Sequence, residues 1–247
     1  MDSLGPAEML AQLAADGAAL RAAATDLDAD VPTCPGWTVR DAVEHTAMVY
    51  AHKSQIIEND VLDNEGEWPP PGLDPSDTLE FFDEQLHRVI EALRTRDPST
   101  HVFSWYEPDQ TVGFWVRRMM QETVIHRADV ESAYGAPSPV DDLVAVDGID
   151  ELLVCFLAYD VDGYLRAAGS GEHISVRAGD RVWTVTLGAE RATVAHDAAT
   201  DADVSISGAP SDVLLALWNR APYDVLRTSG DPAALTALRS AVVATTQ

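Results

Sequence analysis

The apolar residues of this chain change their repeat near residue 170: up to about residue 168 they recur at helical spacing, and from His173 to about Ser207 they alternate. A stripe repeating every three to four residues buries one side of a helix, whereas a repeat of two buries one face of a strand. A helical region must therefore come first, followed by a region containing a sheet. Residues 6–25 form the first expected helix, with Met9, Leu10, Leu13 and Leu20 in register and alanine between them. The segment Val31-Pro32-Thr33-Cys34-Pro35-Gly36-Trp37 breaks it, and Thr38 with Asp41 three residues later opens a second helix running to about Leu62. Past Trp68-Pro69-Pro70-Pro71-Gly72, a third helix fits about Ser76 to Arg96, and a fourth fits about Thr111 to Tyr134, stopped by Gly135 and Pro137. These four read as an antiparallel bundle, and a fifth helix, about Asp141 to Ala168, leads out of it.

Ile174 to Arg177, the turn Gly179-Asp180, and Val182 to Leu187 make a β-hairpin pattern. Strands also fit Ala192 to His196 and Asp203 to Ser207, with helices at about Pro210 to Trp218 and Pro232 to Ala244. The expected fold class is α + (α+β), a four-helix bundle over residues 1–168 and a small α+β domain over 169–247, with the boundary near Gly169-Ser170-Gly171.

Composition excludes several functions. A net charge of −25, scattered along the chain, repels phosphate backbones and anionic lipid, so neither nucleic acid nor membrane is an expected partner. Lys53 is the only lysine among sixteen basic residues. Two distant cysteines, Cys34 and Cys155, give no disulfide framework and no CxxC zinc site. No secretory leader or membrane span is legible, so a cytoplasmic protein, monomeric or weakly dimeric, is expected.

Glu122 and His126 stand four residues apart on the fourth helix, one turn apart on one face. There Val116, Met119, Thr123 and Val130 mark the buried side and Arg118, Gln121 and Ser132 the wet side, with Glu122 and His126 at the edge. His45 occupies the same kind of border on the second helix. Two imidazoles and a carboxylate suit zinc and leave one position open, the pattern of a catalytic site, where a metal lowers the pKa of a water or thiol. The same spacing also suits an ordinary surface pair or a satisfied core pair. Asp129 and Asp147 could orient a ligand histidine. His52 reads as a half-buried structural residue or a substrate residue, Trp37 as a hydrophobic staple rather than a stacking platform, and Cys34 as a structural thiol. His87, His101, His173 and His196 have no evident partners in the sequence.

The run Val31 to His45, reading VPTCPGWTVRDAVEH, closely resembles the opening signature of the mycothiol-dependent maleylpyruvate isomerase family, a DinB-like group of actinobacterial enzymes. Glu122-Thr123-Val124-Ile125-His126-Arg127-Ala128-Asp129, with Asp147 to Glu151 downstream, resembles the family's other signature. The stretch Asp203 to Gly230 is similar to the family's second domain, related to sterol-carrier-like folds. The resemblance implies His45, Glu122 and His126 as ligands to a divalent metal, usually zinc, and mycothiol as thiol cosubstrate. It also implies Arg220, in the Leu-Trp-x-Arg pattern, as a catalytic residue facing the active cleft, although an arginine there also suits a helix C-terminus.

The implied chemistry is attack of the thiol on a small electrophile. Collapse of the adduct gives cis–trans isomerisation of a maleylpyruvate-like diacid, and persistence gives S-transfer. S-transfer or an unassigned reaction is preferred here, since only Arg127 and Arg220 suggest themselves as partners for a diacid. The alternatives are a module that binds an apolar ligand without catalysis, and a metal-dependent hydrolase that needs no thiol.

Overall fold

The structure, a computed structural model, describes residues 4–64, 66–73, 75–159, 169–197 and 201–246. Two compact units make up the chain, Asp2–Ser138 and Pro139–Gln247.

Four helices build the first unit: α1 (Pro6–Ala23), α2 (Val39–Glu58), α3 (Thr78–Arg94) and α4 (Val112–Ser132). The starts of α2, α3 and α4 are each fixed by a side-chain cap that satisfies otherwise orphaned N–H groups. Thr38 Oγ1 accepts from the Asp41 amide while Asp41 Oδ2 accepts from the Thr38 amide at 2.7 Å, a reciprocal box with aspartate in the usual glutamate position. These backbone and hydroxyl donors of Thr38 hold the Asp41 carboxyl below its ordinary range. Asp77 caps α3 through the amides of Leu79 and Glu80, and Thr111 caps α4 through that of Phe114.

Around the bundle the neighbours run α1, α4, α2, α3 and back to α1. Helices α1 and α2 are diagonal, so residues 24–38 must cross one end of the bundle. Their strands of backbone are pinned together there by Val31 N–H donating to Trp37 O and Val39 N–H donating to Ala29 O, both at 2.9 Å. The expected antiparallel order is not what forms. Arg40 reaches Thr78 at the start of α3 and Arg88 reaches Glu58 at the end of α2, so these two helices run parallel and the chain returns along the bundle between them. Leu13, Leu20, Tyr50, Phe82, Leu93, Trp115 and Met119 fill the core. Helix α4 departs from the amphipathic reading: Arg118 and Gln121, expected on a wet face, are only 4% and 1% exposed.

In the second unit, α5 (Asp142–Glu151) continues as a turn and more of π-helix, Leu152–Ala158; the remainder of the expected long helix, 160–168, lies outside the described residues. Because α5 packs against α6 (Pro210–Leu217), it belongs with the sheet, and the chain divides at Ser138–Pro139 rather than at Gly169-Ser170-Gly171. The sheet comprises β1 (Glu172–Ala178), β2 (Arg181–Leu187), β3 (Ala192–Ala195), β4 (Val204–Gly208) and β5 (Arg227–Gly230), in the order β3-β2-β1-β4-β5. β1 and β2 form the expected antiparallel hairpin, β4 lies parallel to β1, and β5 is antiparallel to β4. Alternate residues Ile174, Val176, Val185, Leu187, Val204 and Ile206 are buried, while α6 and α7 (Pro232–Thr246) pack on the sheet.

Candidate metal centre

Helices α2 and α4 pack antiparallel, and near the end closed by residues 24–38 they bring His45, Glu122 and His126 together. One ligand atom from each can be chosen so that all three lie within 4.8 Å of one another. Glu122 Oε1 is 3.4 Å from His45 Nε2 and 3.2 Å from His126 Nε2, and the two imidazole centroids are 4.9 Å apart. The spacing that the sequence offered on two separate helices is thus a single cluster, half-buried at His45 and Glu122 and buried at His126.

Neighbouring groups leave the ligand atoms correctly disposed. His126 Nδ1 lies 3.0 Å from Asp129 Oδ2, so that carboxylate accepts the Nδ1 proton and leaves the Nε2 lone pair directed at the cluster. Of the two aspartates considered for this role, Asp129 fills it. Arg118, one turn before Glu122, donates to Glu122 Oε2 at 2.6 Å and leaves Oε1 for the shared centre. A donor set of two imidazole nitrogens and one oxygen, with the carboxylate and one imidazole held by outer partners, fits a divalent ion of zinc's kind.

The charges agree with that fit. Burial by itself raises the Glu122 carboxyl, yet His126, His45 and Arg118 together hold it well below the usual carboxylate range. Burial likewise pulls the His126 imidazole down, but Glu122 and Asp129 outweigh it and push it up to about 9. Without an ion, a proton therefore takes the position at His126 that an ion would take.

The proline-rich crossing segment supports the same residues. Thr33 Oγ1 donates to Asp129 Oδ1 at 2.8 Å, so a loop hydroxyl holds the carboxylate that holds His126. Gly36 adopts φ +87°, a conformation that strains other residues, and so delivers Trp37 to the cluster. The Trp37 ring stacks on His126 at 6.1 Å and lies 5.1 Å from His45, which makes it a wall of the site rather than a remote staple. Trp68, on the returning chain, meets His45 edge-on at 5.8 Å.

Two contributors escaped the sequence reading. Arg118 was discoverable, since it stands four residues before Glu122, but it was placed on the wet face. Trp68 sits among prolines with no periodicity to locate it.

Arg127, next to His126 in sequence, points instead at α1, where its Nη1 lies 3.1 Å from the Asp16 carboxylate. It is therefore engaged in the α1–α4 interface and is no substrate partner. Arg220 follows α6 in the second unit, with its Nη1 donating to Trp218 O at 2.8 Å and its amide to Leu215 O. His196, which had no evident partner, is 2.6 Å from Asp150 Oδ1. Among the described residues no helix is long and apolar enough to cross a membrane.

Comparison with known proteins bears on the whole chain. A family profile described as "Mycothiol maleylpyruvate isomerase N-terminal domain" matches residues 7–131, and one described as "MDMPI C-terminal domain" matches residues 144–237. Among solved structures, the crystal structure of the mycothiol-dependent maleylpyruvate isomerase aligns with a TM-score of 0.66 at 14% identity, covering 93% of this chain and 96% of that one. A histidine-to-alanine mutant of that isomerase aligns with the same coverage and identity and a TM-score of 0.64. At this identity the likeness carries the fold. No curated protein matches the chain.

Proposed function

Because the chain belongs to the mycothiol maleylpyruvate isomerase family, we propose that it is a metal-dependent enzyme that uses mycothiol to isomerise a small electrophilic alkene. His45, Glu122 and His126 hold the ion, and zinc is the ion their donor set favours. The observation that carries this reading is the convergence of three ligand atoms within 4.8 Å, with Arg118 orienting Glu122 and Asp129 orienting His126. When bound, a divalent ion supplies a Lewis acid that lowers the pKa of a thiol presented to it.

The protein's own residues supply the rest. Asp129 keeps His126 in the tautomer with Nε2 unprotonated, and Arg118 fixes the rotation of the Glu122 carboxylate. Trp37 and Trp68 flank the cluster with apolar surface that keeps water from the reacting sulfur. Arg220 is assigned, through its Leu-Trp-x-Arg setting, to the substrate.

The chemical step is addition. The thiol gives up its proton to solvent, sulfur bonds to one alkene carbon, and the electron pair of the double bond moves onto the adjoining carbonyl as an enolate, leaving a single bond free to rotate. Collapse of the enolate expels the same sulfur as thiolate, restores the double bond in the other geometry, and return of the proton from solvent regenerates the thiol. If a proton is instead delivered to the neighbouring carbon, the adduct persists as an S-conjugate, so isomerase and transferase activities share this first step.

The test is to incubate zinc-loaded protein with mycothiol and a panel of activated alkenes, following both alkene geometry and free thiol. Thiol-dependent isomerisation without net thiol loss is expected, together with about one equivalent of bound zinc that His45→Ala abolishes. Turnover indifferent to the thiol would indicate a hydrolase, and metal-free protein that binds apolar ligands would indicate a binding module.

A further inference from the structure

The second unit holds a cavity of about 270 Å³ between the end of α6 and one face of α7, and no ligand of the metal cluster lines it. Thr236, Arg239, Ser240 and Val243 recur every three or four residues along α7 and so share that face, while Ala234, Leu238, Ala241 and Val242 on the other are buried. Asn219 ends α6 in a left-handed conformation, φ +60°, which asparagine tolerates better than most residues. The amides of Arg220 and Ala221 both donate back to Leu215 O, at 2.7 and 3.1 Å. That turn brings the chain through Pro222 and sets Tyr223 against Arg239.

The lining is unusual for this chain. Of 247 residues 41 are acidic, yet no carboxylate is among the lining side chains, and the one charge there is the Arg239 guanidinium. Arg239 lies over the Tyr223 ring at 4.8 Å, and among the described residues its N–H groups have no carboxylate or carbonyl partner. Burial pushes the Tyr223 phenol up to about 12 against the pull of Arg239, so the ring is neutral and leaves the cationic charge uncompensated. Lying over a ring occupies one face of a guanidinium and leaves its fork of N–H donors for a planar anion. Ser240 and Asn219 add a hydroxyl and an amide, while Leu217 and Val243 add apolar surface. The Tyr223 hydroxyl is itself buried without a hydrogen-bond partner among the described residues, an exception that packing alone does not explain.

We propose that this cavity binds a small organic carboxylate, its anionic group held by the Arg239 guanidinium and the Ser240 hydroxyl and its apolar body lying against Leu217 and Val243. The volume falls just below the roughly 300–1,000 Å³ of pockets that take drug-sized ligands, so the occupant is smaller than those. A bare phosphate would use the guanidinium and leave the apolar surface uncovered, and a neutral apolar molecule would do the reverse. A compact monoanion with an apolar body satisfies both. The site shares no residue with the metal cluster and does not depend on how that cluster is read.

The test is calorimetric titration of the full chain, with zinc present, using benzoate, benzamide and inorganic phosphate; benzoate carries a carboxylate on a compact apolar body. Saturable binding of benzoate is expected, with benzamide and phosphate at least tenfold weaker. Arg239→Gln, at an exposed position, should lower benzoate affinity at least tenfold with an unchanged melting temperature. Val243→Trp, which fills the cavity and keeps the charge, should lower it as much. His45→Ala, which removes a ligand of the proposed metal centre, should bind benzoate as the unmutated protein does. Absence of benzoate binding, equal binding of benzamide or phosphate, unchanged affinity in either cavity variant, or loss of binding in His45→Ala overturns the carboxylate site. Failure of the metal reading appears separately, as absence of zinc in the unmutated protein.

Discussion

His126 and Arg127 are adjacent on α4, and each belongs to a buried charged cluster, yet the two clusters are of different kinds. Toward α1, Arg127 meets Asp16 at 3.1 Å and approaches Glu131, so cation and carboxylates complete one another across a helix interface. Toward α2, Glu122 faces two imidazole nitrogens, and Arg118 takes the oxygen turned away from them. Burial of charge is common to both and does not identify a site. What distinguishes the second is convergence of three metal-ligating atoms within 4.8 Å of one another.

The largest effect that can break this contrast is loss of a ligand. Glu122→Gln is expected to abolish stoichiometric zinc binding and to reduce thiol-dependent activity by more than the roughly 10–100-fold that removing an outer partner costs. Arg127→Met should leave zinc at one equivalent but destabilise the fold by about 3–5 kcal/mol in denaturant titrations, because Asp16 is left buried without its cation. Adding Asp16→Leu should recover most of that loss. If Arg127→Met instead lost zinc and kept its stability, the two clusters would not be separate.

A smaller effect is expected one bond further out. Asp129→Asn should weaken zinc affinity about 10–100-fold, measured by competition with a chelator, with little change in the α1–α4 interface. The smallest concerns protons. Folding raises the His126 pKa from 6.5 to about 9, so the zinc-free protein has this contribution in full below pH 6.5 and loses it as pH rises through about 9. Denaturation midpoints across that window should fall with pH, the fall should persist in Arg127→Met, and it should vanish in His126→Gln.

Much of this arrangement was legible because it depends on local spacing. Thr38 and Asp41 announced the start of α2, and Glu122 with His126 could share one ion only if their segment was helical, as it is. The hairpin of β1 and β2 followed from its alternation and the Gly179 turn. The failures share a different cause. β5 reads Arg-Thr-Ser-Gly, has every residue exposed, and owes its existence to pairing with β4, which leaves no hydrophobic signature. Arg118 was assigned to water because polarity was taken as exposure, whereas its charge is satisfied inside by Glu122. The parallel course of α2 and α3 is set by where a proline-rich connection travels, and no periodicity records that. Trp37 illustrates the limit most directly, since its place after a glycine was visible but the two imidazoles beside it were not.

The crossing segment of residues 24–38 carries a consequence for anyone wishing to re-engineer this chain. Surface connections are ordinarily where insertions and grafted epitopes are accommodated. Here both arms are stitched to each other by Val31–Trp37 and Ala29–Val39 hydrogen bonds, and the tip is tied at Thr33 to Asp129. Its length is therefore as fixed as that of a helix turn, and one residue added or removed would shift an indole and a hydroxyl that α2 and α4 require in place.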